Sequence, residues 1–149
     1  MSAPGGIYVH LPYCRSRCGY CAFVVTTDDS SRQAYLAALT REIGLVSREA
    51  QGERFDSIYL GGGTPSLLPE EDVAALLANL RRSFEIVPEA EITLEANPDD
   101  VNAPLARAWR EAGVTRVSVG VQSFADAELS AVGRRHDAAT AGRALSVLF

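Results

Sequence analysis

The chain has 149 residues, 47% of them hydrophobic, enough for one domain with a real core and too apolar for a disordered segment. Its 19 acidic residues outnumber 14 basic ones, giving a net charge of −5; with no Lys/Arg-rich block, the electrostatic footprint of a nucleic-acid binder is missing. No basic-then-apolar leader opens the sequence and no run of about 18 apolar residues occurs, so a soluble, cytoplasmic protein without a membrane span is expected.

The first element is a short β-branched and aromatic run, Ile7 to Leu11, which reads as a strand leading directly into a cysteine-bearing loop. From Ser30 to about Gln51, Tyr35, Leu36, Leu39, Ile43 and Val46 recur at helical spacing, with Ser30 or Ser31 as cap and Gly52 as stop. A second strand, Phe55 to Leu60, ends in Gly61-Gly62-Gly63. Pro69 suits a first helical position, and Val73, Leu76, Leu77 and Leu80 form the buried stripe behind it. Glu91 to Ala96 is a third strand, Asn102 to Ala112 a helix stopped at Gly113, and Arg116 to Val121 a fourth strand. A short helix over Ala125 to Val132 and another from Asp137 complete the pattern.

Strands alternating with helices in this way imply an α/β fold of about four β-α units. Their strands run parallel, in either a doubly wound sheet or part of a (β/α) barrel. One domain, 1–149, is expected. Neither a C-cap glycine nor a proline closes the last helix after Leu148, so the chain is read as truncated inside its fourth crossover.

The three cysteines, Cys14, Cys18 and Cys21, are spaced C-x3-C-x2-C. An odd count without an export signal argues against disulfides and for metal or redox chemistry. Thiolates are the ligands iron–sulfur clusters require, and three of them leave one iron of a cubane open to a ligand. Gly19 is expected to let the loop turn, and Arg15 and Arg17 to offset cluster charge. A Cys3His zinc site recruiting His10 or His136, a non-enzymatic structural module, is an alternative. A thioredoxin-like Cys18/Cys21 pair is another, although it leaves Cys14 without a role.

The cysteine loop, the glycine run, Glu95 and Gln122 each follow or end a predicted strand. The carboxyl ends of parallel strands carry the active site in α/β folds, so the four segments converge on one face. Glu95 is costly in an otherwise apolar strand unless it is paired or stands near a cavity mouth. His10 is read as a satisfied histidine beneath the loop.

The blocks YVHLPYC (Tyr8 to Cys14), GGGTPS (Gly61 to Ser66), LEANP (Leu94 to Pro98), GVQSF (Gly120 to Phe124) and GRRH (Gly133 to His136) occur in one order. In them the chain resembles the radical S-adenosylmethionine (radical SAM) superfamily, and within it the oxygen-independent coproporphyrinogen III oxidase-like family. The resemblance implies the N-terminal part of a radical SAM core domain, with the rest of the barrel and a C-terminal domain absent. It also implies a [4Fe–4S] cluster on Cys14, Cys18 and Cys21, and S-adenosylmethionine held by Tyr8, Tyr20, Gly62, Gly63, Thr64, Glu95, Gln122 and Arg134.

Catalytic residues are not assigned by the resemblance. Its oxidase members carry a further cysteine where this chain has Phe23, and a longer segment before the first strand. Both differences point to the heme chaperone branch, with heme or porphyrin and heme-acceptor proteins as partners of the full-length protein. Porphyrinogen decarboxylation is the alternative activity.

Overall fold

A computed structural model describes residues 3–149. Gly5–Leu11 forms β1, Arg54–Gly62 β2, Glu85–Ala96 β3 and Arg116–Val119 β4. The strands lie side by side in chain order, each parallel to the next. Parallel neighbours cannot be joined by a tight turn, and the crossovers carry α1 (Arg32–Glu49), α2 (Glu70–Ser83) and α3 (Ala103–Ala112). Helices α4 (Asp126–Ala131) and α5 (Ala138–Leu148) follow β4. Doubly wound sheets reverse their strand order at a switch point. The order β1-β2-β3-β4 has no reversal, so the described strands form an arc of a (β/α) barrel.

Strand alternation separates the two faces of this arc. Val9 and Leu11, Ile58 and Leu60, Ile92, Leu94 and Ala96 point to the helix side, where they are buried with Ile43, Val73, Leu77, Leu80 and Trp109. Leu11, Leu60, Leu77 and Leu94 have no accessible surface. The opposite face carries Tyr8, His10, Tyr59, Thr93, Glu95 and Ser118, which the ladders set in adjoining rows: Tyr8 beside Tyr59 beside Thr93, and His10 beside Gly61, with Glu95 beside Ser118.

Local signals account for several boundaries. Asn102 accepts from the Leu105 N–H at 3.0 Å and Asp137 from Thr140 N–H at 2.7 Å, capping α3 and α5. Gly113, at φ 97°, ends α3 in the left-handed conformation expected of a C-cap glycine. Four details differ from expectation. Ser31 holds the position before α1 but its side chain makes no capping bond. Pro69 is the cap residue of α2 rather than its first helical residue.

Strand β3 starts at Glu85, well before Glu91, because Glu85 and Ile86 already pair with Arg54 and Phe55; Pro88, which has no N–H to give a ladder, is tolerated where the β2–β3 register shifts. Strand β4 stops at Val119, since Gln122 turns left-handed at φ 70° and takes the chain off the sheet. No helix among the described residues is long and apolar enough to cross a membrane.

Candidate functional site

Strands β1 to β4 deliver their carboxyl ends to one edge, where a cavity of about 330 Å³ opens. Its wall contains ten of the eleven residues anticipated from sequence: Cys14, Cys18, Cys21, Tyr20, Gly62, Gly63, Thr64, Glu95, Gln122 and Arg134. Tyr8 is outside that wall, on the neighbouring part of the same sheet face. It stands on the open face of the sheet, its ring stacked on Tyr59 with centroids 6.1 Å apart and its hydroxyl 3.1 Å from His10 Nδ1.

The cysteine loop is built against the end of β1. Cys14 N–H donates to Thr26 O and Thr26 N–H to Pro12 O, at 2.9 and 2.8 Å, closing the segment between them into a lobe. All three thiols are free and half-buried. Burial pushes the Cys14 thiol above its ordinary pKa, while a bond from Thr64 and the Arg134 charge pull it back. Arg15 and Arg17 both line the cavity with the thiols, and Arg15 is in addition paired with a carboxylate, its Nε and Nη2 donating to Asp100 Oδ1 at 3.1 and 2.8 Å. A further cation beside the thiols, not anticipated in that role, is Arg134, whose Nη1 lies 3.6 Å from Cys18 Sγ. Gly19 is not a forced turn, because it is absent from the positive-φ glycines and a Cβ there would meet nothing within 4 Å.

The glycine run serves the protein's own packing as well as its ligand face. A Cβ on Gly63 would lie 2.6 Å from the Pro12 carbonyl carbon and 2.7 Å from Leu11 O. Gly62 adopts φ 107° and a Cβ there would strike the His10 ring. Gly62 N–H donates to Glu95 Oε2 at 3.0 Å, and Gly63 and Thr64 N–H to Leu11 O and Tyr13 O at 2.9 and 2.8 Å. Among the described residues no backbone hydrogen bond reaches the Gly63 carbonyl, which leaves an acceptor at the cavity wall. Glu95 is paired as its position requires, with Tyr59 donating to Oε1 at 2.7 Å. That bond and burial raise the Tyr59 phenol, burial contributing most.

Arg134 crosses the cavity wall. Its Nη2 donates to Asn97 Oδ1 at 2.7 Å and to Gly120 O at 2.6 Å, and its Nη1 reaches Tyr20 Oη at 3.4 Å. Its Nε is buried without a partner among the described residues. A buried guanidinium N–H with nothing to bond is costly, and a carboxylate ligand would satisfy it.

Asn97, Asp100 and Ser118 belong to this region but escaped sequence reasoning as site residues. The Asn97-Pro98 pair after Glu95 was the available signal for the first two, since a polar residue and a proline at a strand end mark a turn over the strand mouth. His136 is buried, with Nε2 3.0 Å from Val121 O.

The donor set, three thiols on one cavity wall, fits a multi-iron cluster. Among the described residues no three His, Cys, Asp or Glu side chains converge on a single ion position, whereas the three thiols border one shared cavity. His10 bonds Val24 O through Nε2 at 2.8 Å and Tyr8 through Nδ1, so neither of its nitrogens is free to complete a Cys3His site, whereas His136, also in the cavity wall, keeps Nδ1 without a partner among the described residues.

Four parallel strands in sequence order, with a three-cysteine loop after the first, define a partial radical SAM fold. The chain matches the description "Radical SAM superfamily" over residues 8–148, and it belongs to that superfamily. It is 39% identical over 145 residues to the heme chaperone HemW of Mycobacterium tuberculosis, covering 95% of this chain and 37% of that protein. It is 41% identical over 127 residues to an oxygen-independent coproporphyrinogen III oxidase of Bradyrhizobium diazoefficiens, covering 82% of this chain and 28% of the relative. Among solved structures, coproporphyrinogen III oxidase (HemN) of Escherichia coli superposes with a TM-score of 0.88 at 30% identity, over 97% of this chain and 34% of HemN. The chain thus covers 28% to 37% of the length of these proteins.

Proposed function

We propose that residues 1–149 are the cofactor-binding part of a radical SAM core domain in a cytoplasmic heme-handling protein. In this reading Cys14, Cys18 and Cys21 hold a [4Fe–4S] cluster. The observation that carries it is the meeting of these thiols with Gly63, Glu95, Gln122 and Arg134 around one cavity. The chemistry supplied by the cluster and bound S-adenosylmethionine is one-electron reductive cleavage of a carbon–sulfur bond, while the protein supplies orientation and exclusion of water.

The roles of the side chains follow from their chemistry. The Gly63 carbonyl accepts from the ammonium of S-adenosylmethionine, beside Gly62 and Thr64. Arg134 Nε, the unpartnered buried donor, takes its carboxylate. Glu95, held by Tyr59 and Gly62, keeps lone pairs for donors of the cofactor, and Gln122 and Tyr20 border it from the mouth. Tyr8, exposed on the same face and stacked on Tyr59, borders the cofactor from that side.

The full-length protein is read as a heme chaperone that binds heme and passes it to acceptor proteins, supported by the similarity to HemW and by Phe23 at the cavity wall. Oxidative decarboxylation of coproporphyrinogen III is the second reading, favoured by the similarity to the Bradyrhizobium oxidase and to HemN. Anaerobic assay of the full-length, reconstituted protein separates them. Stoichiometric heme binding and transfer without porphyrinogen turnover supports the chaperone, and turnover of coproporphyrinogen III overturns it.

A further inference from the structure

We infer that Asn97 is a positioning residue that fixes the hydrogen bonds received by the sulfurs of Cys14 and Cys18, and through them the redox poise of the cluster. The inference rests on the assignment of those cysteines as cluster ligands. Asn97 stands where β3 gives way to a single 3-10 turn, Pro98–Asp100, and its own N–H donates to Ser66 Oγ at 3.3 Å. Its backbone is therefore held, and its side chain projects between the glycine loop and Arg134.

The direction of each bond follows from what the partners can do. A guanidinium only donates, so the atom of the Asn97 amide facing Arg134 Nη2 at 2.7 Å is the oxygen. The amide nitrogen then faces Thr64 Oγ1, at 3.3 Å, and donates to it. With its oxygen accepting there, the one hydroxyl hydrogen of Thr64 is left for Cys14 Sγ, 3.5 Å away. The same Asn97 oxygen and Gly120 O anchor the Arg134 fork, whose other nitrogen reaches Cys18 Sγ at 3.6 Å. One amide thus takes part in orienting both donors to sulfur, sharing Arg134 with Gly120 O.

Hydrogen bonds to ligand sulfur stabilise the extra negative charge of a reduced cluster and raise its potential. Replacing Asn97 by Asp puts an acceptor where the donor was. The Thr64 hydroxyl then turns to the introduced carboxylate and Cys14 loses its bond. The added charge lowers the potential too, so the bond is isolated by a double-mutant cycle with Thr64→Val.

The experiment is anaerobic reconstitution of the protein and its variants with ferrous iron and sulfide, iron and sulfide counts for each, and a midpoint potential from an EPR-monitored redox titration. Thr64→Val is expected to give a more negative potential and Thr64→Ser one near that of the unsubstituted protein. Asn97→Asp is expected to shift the potential further with Thr64 present than in the Thr64→Val background. Equal Asn97→Asp shifts in the two backgrounds, or Thr64→Ser falling as far as Thr64→Val, overturns the inference while leaving the cluster in place. Absence of a cluster from the unsubstituted protein overturns the ligand assignment itself and the inference with it. Should Asn97→Asp not assemble a cluster, Asn97→Leu removes both amide bonds without adding charge. It is held to the same criterion, a smaller shift in the Thr64→Val background.

Discussion

The guanidinium of Arg15, carried between the first two cysteines, donates from Nε and Nη2 to Oδ1 of Asp100, 85 positions away in sequence. Asp100 is buried, its side chain 1% exposed, and Ser66 Oγ donates to its second oxygen at 2.8 Å. A buried carboxylate needs such partners, and its partners come from the cysteine loop and the glycine loop. The pair therefore ties the loop that carries the thiols to the end of β3.

Asp100→Ala is expected to destabilise the fold by about 1–3 kcal/mol, the usual cost of leaving buried polar partners unsatisfied, and to slow cluster assembly. Urea unfolding and the rate of iron uptake measure the two effects. Arg15→Ala leaves the same carboxylate without its countercharge and is expected to act in the same direction. Unchanged iron uptake in both variants would show that the loop is held by other means.

Two glycines near the cysteines should respond oppositely to alanine. Gly63→Ala drives a methyl into backbone atoms at 2.6 to 2.8 Å, which cannot yield as a flexible side chain would. Overpacking of that kind costs about 1–3 kcal/mol, and here it also displaces the end of β1 from which the cysteine loop springs. Gly19→Ala meets open space and an unstrained φ, so thermal unfolding and the iron content should match those of the parent. A large loss of stability in Gly19→Ala would contradict the loop geometry.

Asp137 caps α5, and its bonds to Thr140 hold its carboxyl below the ordinary aspartate pKa. A folded-state pKa below the unfolded one means stability that is present above the unfolded value, near 3.9, and is lost as pH falls through the folded value. Asp137→Asn keeps a capping oxygen without titrating. Comparison of unfolding midpoints at roughly pH 6 and pH 3 should therefore show a smaller acid loss in the variant than in the parent.

Leu60 lies in the second strand with no accessible surface, among the side chains that join sheet to helices. Leu60→Ala is expected to cost about 2–5 kcal/mol, from lost transfer energy and the cavity left behind. Chemical denaturation reads this directly, and a loss well under that range would show that the core collapses around the gap.

The alternation of strands and helices was legible because each element carries its own period: Val73, Leu76, Leu77 and Leu80 on a helix face, Ile92 and Leu94 on a strand face. The convergence of Cys14, Gly63, Glu95 and Gln122 was legible because parallel strands put their carboxyl ends on one side. What escaped are contacts between distant segments with no local pattern. Nothing near Arg15 marks Asp100 as its partner, so its charge was assigned to the adjacent cysteines. Gly62 and Gly63 were expected as cofactor contacts, and nothing local announced that His10 and the Pro12 backbone pack so closely against them. Tyr8 shares a strand with the loop but stands beside the cavity wall, stacked on Tyr59.

Metal analysis of the anaerobically reconstituted protein, beside its Cys14→Ala, Cys18→Ala and Cys21→Ala variants, tests the cluster assignment most directly. The expected result is a brown protein with about four irons and four acid-labile sulfides, and loss of that spectrum in every one of the three variants. A colourless protein holding zinc without sulfide, or a full iron–sulfur spectrum surviving removal of any of the three cysteines, would contradict it.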